Sequence, residues 1–184
     1  MKEITLNCFI FDTDHEMNAR YHPDKHVVKM PTEVAQLLST TVRILAREQD
    51  LDLPPEIDDH IYKETHRNHP CTIWVQSSLS SFVWAVEYGE ALCAEYEYRY
   101  GREHAAKRVI GLCDDMDTYH GLTPIEEPLP HPQAMPEQYR VVGDPVTAYR
   151  NYFNGEKQHI ANWTNRPIPA WFRRSTATRK GETT

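Results

Sequence analysis

Glycines and long apolar runs are scarce in this sequence, and each absence excludes a class of protein. The 184 residues include only seven glycines, which are scattered and form no glycine-rich phosphate loop. No apolar stretch approaches the roughly 18 to 20 residues that a membrane-spanning helix needs. The first residues also lack the apolar segment of a secretory signal. We therefore expect a cytoplasmic protein with no membrane partner.

Cysteine and histidine spacings favour neither disulfides nor a metal site. The four cysteines (Cys8, Cys71, Cys93 and Cys113) form no C-x-x-C pair, which predicts buried thiols in a reducing compartment. His22 and His26 are spaced to chelate a metal if helical, as are His66 and His69. However, a proline follows His22, and a predicted helix break lies between His66 and His69. We therefore predict no metal and no cofactor.

Basic residues are too few for a protein that coats duplex DNA nonspecifically. The 20 Lys and Arg residues against 27 Asp and Glu give a net charge of −7. The charge is uneven, at −11 over residues 1–136 and +4 over residues 137–184. In the C-terminal part, Trp163 and Arg166 belong to a series of alternating aromatic and basic residues. Such a series suits a nucleic acid, or else it docks its aromatic side chains on the core.

The apolar periodicity predicts a mainly α protein with one compact domain over residues 1–174 and a flexible tail over residues 175–184. We expect about five to six helices, a short extended N-terminal segment and a long proline-rich loop over residues 118–136. The strongest pattern spans residues 24–47, where Pro31 should kink the helix or divide it. Further helices are predicted over residues 56–65, 70–100, 102–115 and 145–153.

A narrow polar stripe runs beside the apolar face of the helix predicted over residues 24–47. At 100° per residue it contains His22, His26, Lys29, Glu33 and Gln36. A carboxylate at the edge of a core can be half-buried, which raises its pKa and suits it to act as a general acid or base. The alternative is a solvated flank with one salt bridge, between Lys29 and Glu33 at i,i+4 spacing.

Two further polar clusters lie at helix ends. The first stands before a predicted helix N-terminus, where a phosphate would fit and where helix capping is the alternative. It consists of His66, Arg67, Asn68 and His69. The second could stack on a base or simply pack against the core. It includes Arg99 and Tyr100, with His104 one turn beyond.

The run DKHVVKMPTEVAQLL at residues 24–38 resembles the first long helix of the pyrimidine-dimer DNA glycosylase (endonuclease V) superfamily. The shared pattern is a basic residue, an aliphatic residue, a glutamate, and then Gln and Leu. The pair His69–Pro70 opening a helix with Trp74 near its start is also similar. Most of the chain further resembles small proteins of tailed phages, which implies the host-cell cytoplasm as its location.

The resemblance implies that Glu33 is the catalytic carboxylate. In the characterised glycosylase, an amine at the processed N-terminus attacks C1′ of the damaged nucleotide, and the helix glutamate stabilises the cationic sugar. The nucleophile here stays open between the α-amine of Met1, the side chain of Lys29 and a water molecule. Thr32 stands where the characterised enzyme has an arginine.

The implied substrate is a damaged or modified pyrimidine in a nucleic acid or nucleotide. We predict twelve substrate-binding residues: His22, His26, Gln36, His66, Arg67, Asn68, His69, Arg99, Tyr100, His104, Arg150 and Trp163. The alternatives are a non-catalytic protein that binds a nucleotide or a partner on the same scaffold and, third, a histidine-based metal-dependent hydrolase.

Overall fold

The computed structural model describes residues 6–114 and 129–174, and this part of the chain is mainly helical, as predicted. No β-strand occurs within these two ranges. They form α1 (His15–Tyr21), α2 (Asp24–Glu48), α3 (Pro55–Asp58), α4 (Pro70–Ser77), α5 (Leu79–Tyr100), α6 (Ala106–Asp114) and α7 (Pro145–Glu156). None of these helices is long and apolar enough to span a membrane. Met1, residues 118–128 and the predicted tail lie outside the described residues.

Helix α2 is the centre of the fold because its predicted apolar stripe is completely buried. It packs against α4, α5 and α6, and Val34 and Leu37 on this face are fully buried. Gly89 of α5 permits the close approach, since a Cβ atom there would lie 2.9 Å from side-chain atoms of both Val34 and Ile110. The polar stripe of α2 is therefore held at the edge of a well-packed core.

Several helix boundaries differ from the sequence prediction, three of them for an identifiable physical reason. Helix α2 continues through Pro31, because the proline costs one intrahelical hydrogen bond while tertiary packing supports the helix around it. The helix predicted over residues 70–100 is divided at Ser78, whose backbone is extended and whose side chain accepts a hydrogen bond from the N–H of Ser81. The helix predicted over residues 56–65 contracts to Pro55–Asp58.

Two non-helical segments form hydrogen bonds with α2 at different points. The extended N-terminal segment, predicted over residues 4–11 and described from residue 6, is buried and reaches α2 at Glu33 through the backbone of Asn7. Residues 162–164 reach the first residue of α2, where the carboxylate of Asp24 accepts hydrogen bonds from the N–H and hydroxyl groups of Thr164 at 2.9 and 2.8 Å. These contacts bring both ends of the described chain against one helix.

Candidate active site

Glu33 is a buried carboxylate at the edge of the core. Its side chain is 3% exposed, and Oε2 accepts a hydrogen bond of 3.1 Å from the backbone N–H of Asn7. Its Oε1 lies 2.5 Å from Nζ of Lys29, one helical turn earlier. The Lys29 side chain is 51% exposed, so its amine lies on the solvent side of the carboxylate. The buried carboxylate and the salt bridge between Lys29 and Glu33 were alternatives from the sequence, and both are present.

The pKa of the Glu33 carboxyl reflects two opposing influences. Burial is the larger and raises this pKa above its ordinary value, because the charged form loses hydration. The amine of Lys29, the N–H of Asn7 and the charge of His69 act in the opposite direction. A carboxyl with a raised pKa beside an amine is suited to exchange a proton with it. When Glu33 takes the proton of Lys29 the amine becomes nucleophilic, and once Glu33 has passed that proton on, its negative charge can stabilise a cationic sugar.

The start of α4 brings a second set of reactive groups to the same carboxylate. His69 is the N-cap of α4, where its Nδ1 accepts a hydrogen bond of 3.2 Å from the backbone N–H of Cys71. Contact with the thiol of Cys8, together with His69, lowers the pKa of the Cys71 thiol, and the same contact raises the pKa of Cys8. Both thiols are free and buried. These groups and Glu33 form one cluster between α2 and α4, which we call the Glu33 cluster.

Asn7 links the Glu33 cluster to the chain that precedes α7. Its Nδ2 donates a hydrogen bond of 3.0 Å to the carbonyl of Ala134, and its Oδ1 lies 2.7 Å from the hydroxyl of Tyr149. Asn7 is not among the site residues predicted from the sequence. An amide within an otherwise apolar extended segment is the signal that could have identified it, because a buried amide needs several hydrogen-bond partners.

Part of the predicted residue set adjoins the Glu33 cluster. Gln36 is partly exposed one turn beyond Glu33 on α2. The three residues before His69 are exposed, and the guanidinium of Arg67 lies 3.6 Å from the carboxylate of Glu64. The predicted residues in or beside the cluster are Lys29, Glu33, Gln36, His66, Arg67, Asn68 and His69.

Three predicted substrate-binding residues have structural partners instead. His22 is fully buried, where its Nδ1 donates to a backbone carbonyl of α1 at 2.8 Å and its Nε2 accepts from the hydroxyl of Tyr88 at 2.7 Å. The indole N–H of Trp163 donates to a backbone carbonyl at 2.9 Å. The Nε2 atom of His104 lies 3.1 Å from a backbone carbonyl of α2, and its Nδ1 accepts a hydrogen bond of 3.1 Å from the backbone N–H of Ala106. These side chains join elements of the fold.

Arg99 lies in a buried ion network and not on a ligand surface. Its side chain is 0% exposed and donates to the carboxylates of Glu95 at 2.7 Å and Asp24 at 2.9 Å. Arg166 from the C-terminal segment also contacts Glu95, at 2.7 Å. The network joins α2, α5 and the C-terminal segment, so we assign Arg99 a structural role.

The last three predicted residues are anchored by aromatic packing or by the backbone. His26 is buried with its ring centroid 4.5 Å from that of Phe9. Tyr100 packs against the neighbouring ring of Tyr96 at 4.8 Å and is 36% exposed. Arg150 donates two hydrogen bonds to the carbonyl of residue 11, at 2.9 and 2.6 Å.

The buried histidines should make the protein less stable in acid. Burial lowers the pKa of His22 to about 3 and that of His131 to about 4, below the roughly 6.5 of an unfolded histidine. The unfolded state therefore binds more protons, and each histidine removes up to about 1.4 kcal/mol of folding free energy per pH unit as pH falls below 6.5. Urea unfolding between pH 7.5 and 5 measures the slope.

Ring-proton NMR separates this explanation from a general acid effect. The resonances of His22 and His131 should not titrate between pH 8 and 5 in the folded protein, but should titrate in urea. Titration of the His22 ring near pH 6.5 in the folded state would contradict its structural assignment.

The predicted histidine pairs form no metal centre in the described part of the chain. Within residues 6–114 and 129–174, no group of three or more His, Cys, Asp or Glu side chains could hold a metal ion. The ring centroids of His22 and His26 lie 5.5 Å apart, and the Nε2 atom of His22 is already bonded to a tyrosine hydroxyl.

Comparison with known proteins adds one finding. The sequence model of the family described as pyrimidine dimer DNA glycosylase matches residues 8–108, which include α1 to α5 and the start of α6. A search of curated proteins and a search of solved structures gave no match. The matched range contains Lys29, Glu33, His69 and both thiols of the Glu33 cluster.

Proposed function

Because this chain belongs to the pyrimidine dimer DNA glycosylase family, we propose that it releases a damaged or modified pyrimidine base from DNA at a site formed by Lys29 and Glu33. The observation that carries the proposal is the contact of 2.5 Å between a half-exposed amine and a buried carboxylate. A glycosylase that forms a Schiff base needs both groups. The amine must lose a proton before it attacks, and the sugar becomes positively charged as the base leaves.

We assign the nucleophile to Lys29. Glu33 accepts a proton from the Lys29 ammonium, and the amine lone pair bonds to C1′ of the sugar. The electron pair of the broken C1′–N bond leaves with the base, which takes up the proton that Glu33 had accepted, so Glu33 is a carboxylate again. The nitrogen now bonded to C1′ then gives up a proton, its lone pair opens the C1′–O4′ bond, O4′ takes up that proton, and an iminium linkage joins Lys29 to the sugar. Loss of a proton from C2′ with departure of the 3′ phosphate completes a lyase step.

The exposure of the two side chains supports Lys29 as the group that meets the substrate. Lys29 is the exposed member of the pair, so a nucleotide meets its amine before the carboxylate. The N-terminal α-amine, which the family resemblance implies, is the competing nucleophile, and the N–H of Asn7 already donates to the same carboxylate. Met1 itself lies outside the described residues.

Contacts with DNA phosphates are assigned to the exposed loop before α4. His66, Arg67 and Asn68 offer hydrogen-bond donors there, next to His69 of the Glu33 cluster. Phosphate contacts position an enzyme on its substrate without reading sequence. With a net charge of −7, binding depends on such local donors and should weaken as salt increases.

Borohydride trapping tests the proposed reaction. With a UV-irradiated duplex, the full chain is expected to form a covalent adduct on Lys29, because borohydride reduces the iminium linkage to a stable amine. Peptide mass spectrometry locates the modified residue. Lys29→Arg is the matched variant, since its guanidinium keeps the charge beside Glu33 but forms no Schiff base, and we expect it to form no adduct. An undamaged duplex of the same sequence is the substrate control.

Each other outcome of the trapping experiment has a distinct meaning. An adduct on the N-terminal amine would refute Lys29 as the nucleophile and keep the glycosylase reaction. Base release without any adduct would indicate attack by water. Intact DNA in every reaction, with DNA binding that persists in Glu33→Gln, would reject the enzyme in favour of a non-catalytic binding protein.

A further inference from the structure

Val142 is an apolar side chain at the tip of a turn, with a relative exposure of 103%. The N–H of Asp144 donates to the carbonyl of Val141 at 3.2 Å, and Gly143 between them has φ of +74°. This positive φ is what the third position of a type II turn requires, which leaves Val142 at the second position. The turn therefore directs the apolar side chain of Val142 into solvent.

Both sides of this turn are anchored. On one side, the amide of Gln133 makes two hydrogen bonds with the backbone of Val141, at 2.6 and 2.8 Å. On the other side, Asp144 caps α7 by accepting from the N–H and hydroxyl groups of Thr147, at 2.9 and 2.6 Å. A tip held in this way loses little conformational entropy when it inserts into a partner.

The turn adjoins the Glu33 cluster through Asn7. The backbone of Asn7 donates to Glu33, and its side chain donates to Ala134, the neighbour of Gln133. A groove of about 500 Å³ separates the turn from the start of α4. Its lining includes Pro70, His131, Gln133, Ala134, Arg140 and Val142. Because Pro70 follows His69 directly, one end of the groove lies next in sequence to the Glu33 cluster.

Arg140 places a cation beside the apolar tip. It is exposed, and its Nε donates a hydrogen bond of 3.1 Å to the carbonyl of Met135, which orients the guanidinium. Its two terminal nitrogens make no hydrogen bond with any described residue. A guanidinium whose terminal nitrogens have no partner among the described residues, next to an exposed apolar side chain, suits a surface that contacts a phosphate and a base step together.

We propose that Val142 is a wedge that inserts into the base stack of duplex DNA beside the target nucleotide, while Arg140 contacts the adjacent phosphate. The inference rests on the proposed function, because an enzyme that acts on a nucleotide within a duplex must open the base stack at that point. An inserted apolar side chain offsets part of the unstacking cost. The groove beside the wedge then receives the displaced nucleotide.

Val142→Ala tests the wedge. It is expected to weaken binding to a duplex that carries a thymine dimer by about tenfold, because two methyl groups no longer leave water. A 2-aminopurine beside the dimer reports unstacking, and its fluorescence increase on binding should be largely lost. Binding to a single strand with the same dimer should be unchanged. Leu51→Ala, at a residue that is 57% exposed between α2 and α3, is the control and should alter none of these measurements.

Val142→Leu keeps an apolar tip and should retain the fluorescence increase. Wild-type fluorescence with Val142→Ala, or equal losses on single strand and duplex, would overturn the wedge. A change of oligomeric state in Val142→Ala, measured by sedimentation, would also overturn the wedge, because it would assign the tip to contacts between copies of the chain. Base release measured in parallel separates the two proposals. If the wild type releases the base and Val142→Ala releases it at the same rate, only the wedge is refuted. If the wild type neither releases the base nor binds the duplex, both proposals are refuted.

Discussion

Replacement of Glu33 by glutamine is expected to lower the rate of base release by roughly 10³-fold, within the range found when a positioned proton-transfer group is lost. Glutamine keeps the size of the side chain and an acceptor for the N–H of Asn7, so the fold should be retained. It neither accepts a proton from Lys29 nor carries the negative charge that stabilises a cationic sugar. Single-turnover kinetics on a dimer-containing duplex measures the rate, and circular dichroism checks the fold.

Glu103→Gln provides a matched control for this substitution. Glu103 forms an ion pair with Lys107 at i,i+4 spacing, with Nζ and Oε2 3.0 Å apart, but both side chains are exposed. Removing its charge should leave base release unchanged. Retention of more than about a tenth of the wild-type rate in Glu33→Gln would contradict the catalytic assignment, because the loss of a general acid or base costs at least about 10²-fold.

The pH–rate profile gives a second readout of the same carboxylate. Burial raises the pKa of Glu33, so the acidic limb of kcat/KM for the wild type should lie above the range of an ordinary glutamate. Activity should fall as pH decreases through that limb, because protonated Glu33 cannot accept the proton of Lys29. The limb should disappear from the residual activity of Glu33→Gln.

The features that could be predicted from the sequence are properties of single helices. Helix α2 was predicted because its apolar stripe repeats every three or four residues, and that stripe is buried. The same periodicity placed Lys29 and Glu33 on one flank at i,i+4 spacing, and their contact follows from helix geometry alone. The division at Ser78 was missed because a serine cap is a weak signal inside a long apolar pattern.

The partners of polar side chains could not be predicted, because they come from distant parts of the chain. His22 lies on the predicted stripe with Glu33, yet its partner is Tyr88, 66 residues away. Asn7 contacts Ala134 across 127 residues, and no periodic pattern connects the two. His22 and Tyr88 therefore satisfy each other's buried polar atoms, a role that spacing cannot distinguish from ligand binding.

Replacement of Arg99 by methionine is expected to lower the free energy of unfolding by about 3 to 5 kcal/mol. The side chain is 0% exposed and pairs with Glu95, itself 3% exposed, and with Asp24. Its removal leaves two carboxylates with fewer partners in a region of low dielectric, which is the costly way to break a buried ion network. Urea unfolding monitored by tryptophan fluorescence measures the loss.

The same variant distinguishes a structural Arg99 from one that binds substrate. Below its unfolding transition, Arg99→Met should keep the wild-type KM for a dimer-containing duplex, because no atom of the arginine side chain is exposed to DNA. Arg20→Met is the control for loss of an arginine on the neighbouring helix. Arg20 pairs with Glu16 at the surface, and its removal should cost less than about 1 kcal/mol. A raised KM with unchanged stability in Arg99→Met would return Arg99 to the substrate-binding surface.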